Sequence, residues 1–196
     1  MSTSEKPRYH HGDLHVALLS AATDLLEEDG AGLSLRAVAR RAGVSPTAPY
    51  RHFADKEALE NELAAQGFAD LKQRLAATGS QTVALDLDRF ALIAVSYVRF
   101  ALDRPALFRL MFGTPCTNTQ DARTAAAAEV HDFVMACVSE AFPQADAEAL
   151  ATAGWSLVHG LAFLHLDGKL PSANLEEVDA RVIAAITAIL TLQPKT

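Results

Sequence analysis

A chain of 196 residues has room for one domain, or a small head on a larger body, and excludes a multidomain machine. Half of its residues are hydrophobic, which excludes a disordered tail, and a net charge of −7 excludes a histone-like basic coat. Thirty-eight alanines, 7% aromatics and 18 Pro plus Gly point to helices throughout, because Ala and Leu lead the order of helix propensity.

The first helix is expected from near Gly12 to Asp29, where Leu14, Leu18, Ala22 and Leu25 recur at helical spacing and Gly30 follows as a stop signal. A second follows the N-cap Ser34 and ends at Gly43. A third is expected after Ser45, with Pro46 at its first position, and runs to about Phe53. The fourth starts after Asp55 and continues to about Ala77 on Leu59, Leu63, Phe68, Leu71 and Leu75, before a polar loop at 78–82. Further helices are expected at about 85–103 and after Pro105, with a loop at 114–119. The stripe Val130, Phe133, Val134, Cys137, Val138 and Ala141 marks the next. Another covers roughly 146–166, closed by Asp167-Gly168, and the last carries Val178, Val182, Ile186 and Ile189 on one face. The fold class is all-α, about nine helices without a strand, with three short helices feeding a bundle through a long connector. The domains are expected at 1–56 and 57–196.

Cys116 and Cys137 are too few for a disulfide framework and lack C-x-x-C spacing. The uncharged stretch 149–166 approaches membrane length, yet its Thr152, Gly154, Ser156, His159, Gly160 and His165 suit a buried or partner-facing helix better than lipid. The first thirteen residues are polar and carry no signal-peptide pattern, so a soluble, cytoplasmic protein without membrane partners is expected.

Charge is unevenly shared. Residues 1–56 hold seven basic and seven acidic side chains, so the whole deficit lies in the remainder. Within 36–56, Arg36, Arg40, Arg41, Arg51 and Lys56 face a single acid, Asp55, which makes this the place for an anionic partner. Two short helices joined by a tight turn at Gly43-Val44 have the dimensions of a helix-turn-helix. Ser34 opens the first of them, Ala39 permits close approach, and Val38 and Val44 supply an apolar wedge. Ser45, Thr47 and Ala48 give the second a short, accessible tip suited to a major groove about 12 Å wide. Tyr50, Arg51, His52 and Lys56 supply hydroxyl, guanidinium, imidazole and ammonium groups for phosphates. The plainer alternative makes the arginines a solvated helix face and Tyr50, His52 and Phe53 ordinary packing.

The stretch AVARRAGVSPTAPYRHFADKEAL resembles the DNA-binding head of the TetR family of bacterial transcription regulators, over about residues 10–60. YHHGDLH at 9–15 and WSLVHGLAFLHLDG at 155–168 resemble a subgroup whose C-terminal domain carries a Trp-Val-His-Gly-like signature. The resemblance implies base-facing roles for Pro46, Thr47 and Ala48, phosphate roles for Tyr50, His52 and Lys56, and core packing for Phe53 and Leu59. Pro49 departs from the commoner family pattern. It removes a helical hydrogen bond, so a kink or a partly 3₁₀ segment is expected there.

Before the first helix, Lys6, Arg8, His10 and His11 form a basic arm of the kind that reaches a minor groove, or else a terminus without a role. His10, His11 and His15 lack the Cys or carboxylate set that completes a tetrahedral shell, so neither a metal site nor another cofactor is expected.

For the body, the resemblance implies a homodimer paired through its last two long helices. Gly154, Gly160 and Ala162 permit close approach there, and Val182, Ile186 and Ile189 form an apolar face; the alternative is the core of a monomer. Tyr97, Phe100, Phe108, Met111, Phe112, Phe133, Cys137, Trp155, His159 and Phe163 are the candidates for an effector cavity, with plain core as the alternative. Trp155, His159 and Phe163 lie four apart and form an aromatic wall with one polar handle, so the effector is expected to be small and apolar. The function expected is a repressor that binds a palindromic duplex operator as a homodimer. A helical interaction protein without operator binding is the alternative. An enzyme has less support, because no nucleophile elbow, P-loop or dinucleotide fingerprint is present.

Overall fold

Helix starts in this chain are set by short polar side chains that satisfy an otherwise unpaired amide. Ser34 Oγ accepts from the Ala37 N–H at 3.2 Å and opens helix α2, Leu35–Arg41. Asp55 Oδ1 accepts from Ala58 at 2.8 Å and opens α3, Lys56–Gly79. Asp121, Asp146 and Asn174 do the same for α6 (Ala122–Ala141), α7 (Ala147–Leu166) and α8 (Leu175–Leu190). Helices α1 (His11–Asp29), α4 (Leu87–Asp103) and α5 (Pro105–Gly113) complete the set. The computed structural model describes residues 11–29, 32–79, 87–113 and 121–191, and among these no strand occurs. Arg8, His10 and Cys116 lie outside the described residues.

Contacts divide the chain into two compact units, Met1–Ala64 and Ala65–Thr196, the division falling within α3. In the head, α1 buries Leu18, Ala22 and Leu26, and α2 buries Leu35, Ala37, Val38 and Ala39. Gly43 closes α2 at φ +68°, a conformation that side chains with a Cβ rarely adopt, and the Val44 amide then donates to Ala39 O.

The helix expected over 46–53 forms only in part. No α-helix lies between Arg41 and Lys56; a turn at Ser45–Ala48 leads into a 3₁₀ turn at Pro49–Arg51. Pro49 has no N–H to return to Ser45 O, which instead accepts from Ala48 at 3.0 Å. The ring itself is buried. The amides of His52 and Phe53 both donate to Pro49 O at 2.9 Å.

In the second unit α4 is the central element. It buries ten residues, from Phe90 to Ala101, and packs against α5, α6, α7 and α8. Arg99 clamps it to α8 through Asp179 at 2.7 and 2.5 Å. Arg123, itself buried, donates to the carbonyls of Leu110 and Met111 at the end of α5, where the helix dipole favours a cation. Gly168 at φ +65° ends α7 after Leu166. Among the described residues α7 is the one helix long and apolar enough to cross a membrane, with mean hydropathy 1.3, and most of its apolar stretch is not buried within the protomer.

Replacing Gly43 with Ala introduces no clash, because nothing lies within 4 Å of the added carbon, so its cost isolates the backbone strain. Urea unfolding is expected to register a loss of about 1 kcal/mol. Phe108→Ala, at a fully buried position in the second unit, is expected to lose about 3–5 kcal/mol in the same measurement.

Candidate nucleic-acid interface and apolar cavity

The segment between α2 and α3 presents its side chains outward. Ser45, Pro46, Thr47, Tyr50 and Arg51 are exposed, and Ala48 and His52 are half-buried. Tyr50 is 53% exposed, a large value for an aromatic ring and one that packing does not account for. Ser45 Oγ and Thr47 Oγ1 lie 3.2 Å apart, so one hydroxyl orients the other. Lys56 is exposed at the start of α3 and pairs with Glu60 one turn on at 3.2 Å, an exchangeable surface contact. Arg36 and Ser34 are exposed, with Ser34 already committed to capping α2. Arg41 is held to α1 by Glu28 at 3.1 and 2.5 Å, and this guanidinium keeps the Glu28 carboxyl below the usual carboxylate range.

Two residues beneath this surface escape a reading of the motif. His15 of α1 lies against both aromatic side chains at the end of the segment, with ring centroids 5.5 Å from His52 and 5.4 Å from Phe53. Its Nε2 is 2.8 Å from Glu62 Oε1 on α3. A short 3₁₀ turn is poorly held by its own hydrogen bonds, and this bracing from α1 and α3 supplies what a full helix would otherwise provide. No local pattern signals it, because Glu62 stands 47 positions from His15 in the chain.

The second unit contains a partly open cavity of about 390 Å³, within the range of small-molecule sites. Of the residues expected to form it, Tyr97, Met111, Phe112, Cys137 and Trp155 do line it. Phe100, Phe108, Phe133, His159 and Phe163 do not. Phe100 and Phe108 are core residues, 2% and 0% exposed, because α4 and α5 turn them towards the interior. His159 and Phe163 form a layer behind the wall: His159 stands 4.6 Å from Phe112 and 4.9 Å from Phe163, ring to ring. Phe133 is half-buried on α6. Phe68, Phe90, Val130 and Val134 are among the further apolar lining residues, and helical stripes of this kind read in sequence as ordinary core. Cys137 is buried among them, and burial pushes its thiol above the ordinary range, away from reactive thiolate.

The expected pairing face also needs correction. Ala162, Val182 and Ile186 are 0%, 0% and 2% exposed, packed inside their own chain around α4, and cannot meet a second copy. Gly154 faces inward as well, lining the cavity near Phe90. Gly160, with nothing near the space its side chain would fill, stays on the outer side of α7 with Leu164; Ile189 follows Ile186 on the same stripe of α8 but is 46% exposed, and Ile183 is exposed as well.

A capped helix, a glycine turn and an outward-facing short segment, followed by an all-helical unit with an apolar cavity, define a helix-turn-helix regulator with a separate helical body. Residues 18–63 match the family model for bacterial regulatory proteins of the tetR family, and residues 90–189 match the tetracyclin repressor-like C-terminal domain. The chain belongs to the TetR family of bacterial transcriptional regulators. It is 35% identical over 127 residues to an uncharacterized HTH-type transcriptional regulator of Haemophilus influenzae, a match spanning 60% of this chain and 58% of that protein. A solved protein of unknown function from Rhodococcus sp. RHA1 is 35% identical, with a TM-score of 0.78 over 92% of this chain and 97% of its own. A TetR/AcrR-family regulator from Thermobifida fusca, 18% identical, shares the fold with a TM-score of 0.68 over 89% of this chain and 96% of its own.

His15→Ala is expected to speed hydrogen exchange at the amides of His52 and Phe53, by removing the ring that packs on both, while the amides of α2 exchange as before.

Proposed function

We propose that the chain is a cytoplasmic, homodimeric repressor that binds a palindromic operator and is released by a small apolar effector. The observation that carries the DNA-binding half is the outward presentation of Pro46, Thr47 and Tyr50 on a segment too short to be packed for its own sake. Its length suits insertion into a major groove, with Thr47 and Ala48 at base edges. Tyr50, Arg51, His52 and Lys56 flank the segment as phosphate contacts, and Arg36 adds charge on α2. The basic arm with Arg8 and His10, outside the described residues, would add contacts in the neighbouring minor groove.

Dimerisation is supported by the exposed apolar side chains of α7 and α8. Leu164, Ile183 and Ile189 are 42%, 38% and 46% exposed, next to Gly160, which lets two backbones approach. Exposed apolar side chains in this number cost solubility unless a second copy covers them. A two-fold pair then presents two segments to half-sites about one helical turn apart. Release follows if the effector binds the DNA-competent and DNA-incompetent dimers unequally, since only differential affinity shifts the balance.

The decisive experiment is fluorescence anisotropy with the duplex upstream of the chain's own gene. Wild type is expected to bind it at least 10³-fold more tightly than random duplex, with affinity falling steeply as salt rises. Lys56→Ala should lower the salt slope by about two in the dimer, one phosphate contact per copy, and Tyr50→Ala should weaken binding in the same way. Equal affinity for random duplex would favour the helical interaction protein instead. Leu164→Glu combined with Ile183→Glu is expected to halve the mass in sedimentation while helix content is unchanged.

A further inference from the structure

Tyr97 stands where the cavity wall meets a short hydrogen-bonded chain. It is 4% exposed and lines the cavity. Trp155 Nε1 donates to its hydroxyl oxygen at 3.3 Å, and that oxygen lies 2.9 Å from His159 Nδ1. An indole N–H can only donate, so Tyr97 is the acceptor in the first contact. Its one hydroxyl hydrogen then needs a partner, which among the described residues is His159 Nδ1.

Burial holds His159 below the ordinary imidazole range and so keeps the ring neutral. With its hydrogen on Nε2, Nδ1 accepts from Tyr97 and the Tyr97 hydrogen has its partner. The other tautomer would aim two donors at one oxygen and strand the hydroxyl hydrogen among apolar groups. The order is therefore Trp155 to Tyr97 to His159. The donor capacity of Tyr97 is spent, and what it offers the cavity is oxygen lone-pair density.

The Trp155 contact is the replaceable one. At 3.3 Å it is longer than the usual range for N–H···O, and the indole is 47% exposed, so water can take its place. Among the described residues no Lys, Arg, Asp or Glu lines the cavity, and Glu140 and Arg89 act on the lining Cys137 with opposite sign. An ionised ligand would lose its hydration there with no opposite charge among the described lining residues to meet. Thr152 and His131 also line it but belong to exposed residues, and the Cys137 thiol is a weak partner.

We infer that the cavity takes a neutral apolar ligand carrying one hydrogen-bond donor, a phenol or an alcohol, whose hydroxyl hydrogen is accepted by Tyr97 Oη in place of Trp155 Nε1. This rests on the cavity being the effector site proposed above. A hydrocarbon fills the space without using the oxygen, and a ketone or ether brings a second acceptor against it.

The test uses the full chain with 2-decalol, 2-decalone and decalin-2-carboxylate, read by calorimetry and by the emission of Trp155, the chain's one tryptophan. The alcohol is expected to bind roughly three- to tenfold more tightly than the ketone, the worth of one net hydrogen bond. It should also shift Trp155 emission to the red as the indole is released to water, and the carboxylate should not bind at the same concentrations. Tyr97→Phe should erase the preference while leaving ketone affinity in place. His159→Phe, which keeps an aromatic ring against Phe112 and Phe163 but frees the Tyr97 hydrogen, should reverse it in favour of the ketone. Equal binding of alcohol and ketone by the wild type, or a preference that survives Tyr97→Phe, overturns the assignment and leaves the cavity reading standing. Failure of all three probes to bind overturns both.

Discussion

The second unit depends on the need to cover one helix on nearly every side. Helix α4 carries apolar or small side chains around almost its whole circumference, and burying them is the largest favourable contribution available to this unit. Helices α7 and α8 each give it one face, with Val158, Leu161 and Ala162 from the first and Val178, Val182 and Ile186 from the second. Because those faces are used inside the protomer, whatever a second copy meets must come from what they leave exposed. Gly160 and Leu164 lie on the far side of α7 and Ile183 on the flank of α8, while Ile189 continues the buried stripe of α8 beyond the core, so both helices leave apolar surface outside the protomer core.

The cavity arises from the same arrangement. Around Tyr97 the large rings meet edge to face, as Tyr97 does with Phe108 at 5.7 Å and Phe90 with Phe142 at 5.7 Å. Such contacts fix ring orientations firmly but leave gaps that flexible aliphatic side chains would fill. Gly67 illustrates how closely the rest is packed: a Cβ there would come within 2.7 Å of Met111 Sδ. Space is thus retained on one side of Tyr97 while the surroundings are tight, which suits a site that must hold its form when empty.

Element by element, periodicity and capping made the helices legible. Ser34, Asp55 and Asp146 mark their starts and Gly43 and Gly168 their ends, because capping is a local interaction between near neighbours in the chain. Pro49 likewise announced the break at the tip of the head. What periodicity cannot assign is the owner of an apolar stripe. Val182 and Ile186 read equally well as the face of a partner or of the chain's own core, and only the position of α4 settles it. The aromatic residues posed the same difficulty: Phe108 and Phe112 differ by one turn of α5, yet one is in the core and the other on the cavity wall. The partners that join distant segments, His15 with Glu62 and Tyr97 with Trp155, leave no trace in local sequence, since their spacing is decided by the tertiary fold.

The reliance of α4 on α8 has a bearing on biosynthesis. About ninety residues separate the end of α4 from the end of α8, and at roughly 5–20 residues per second the ribosome needs several seconds to deliver them. Throughout that interval the most extensively buried helix of the nascent body waits without its final cover, and Arg99 without the carboxylate that anchors it. Chaperone demand for this polypeptide should therefore peak late in translation and fall abruptly once the last helix clears the exit tunnel.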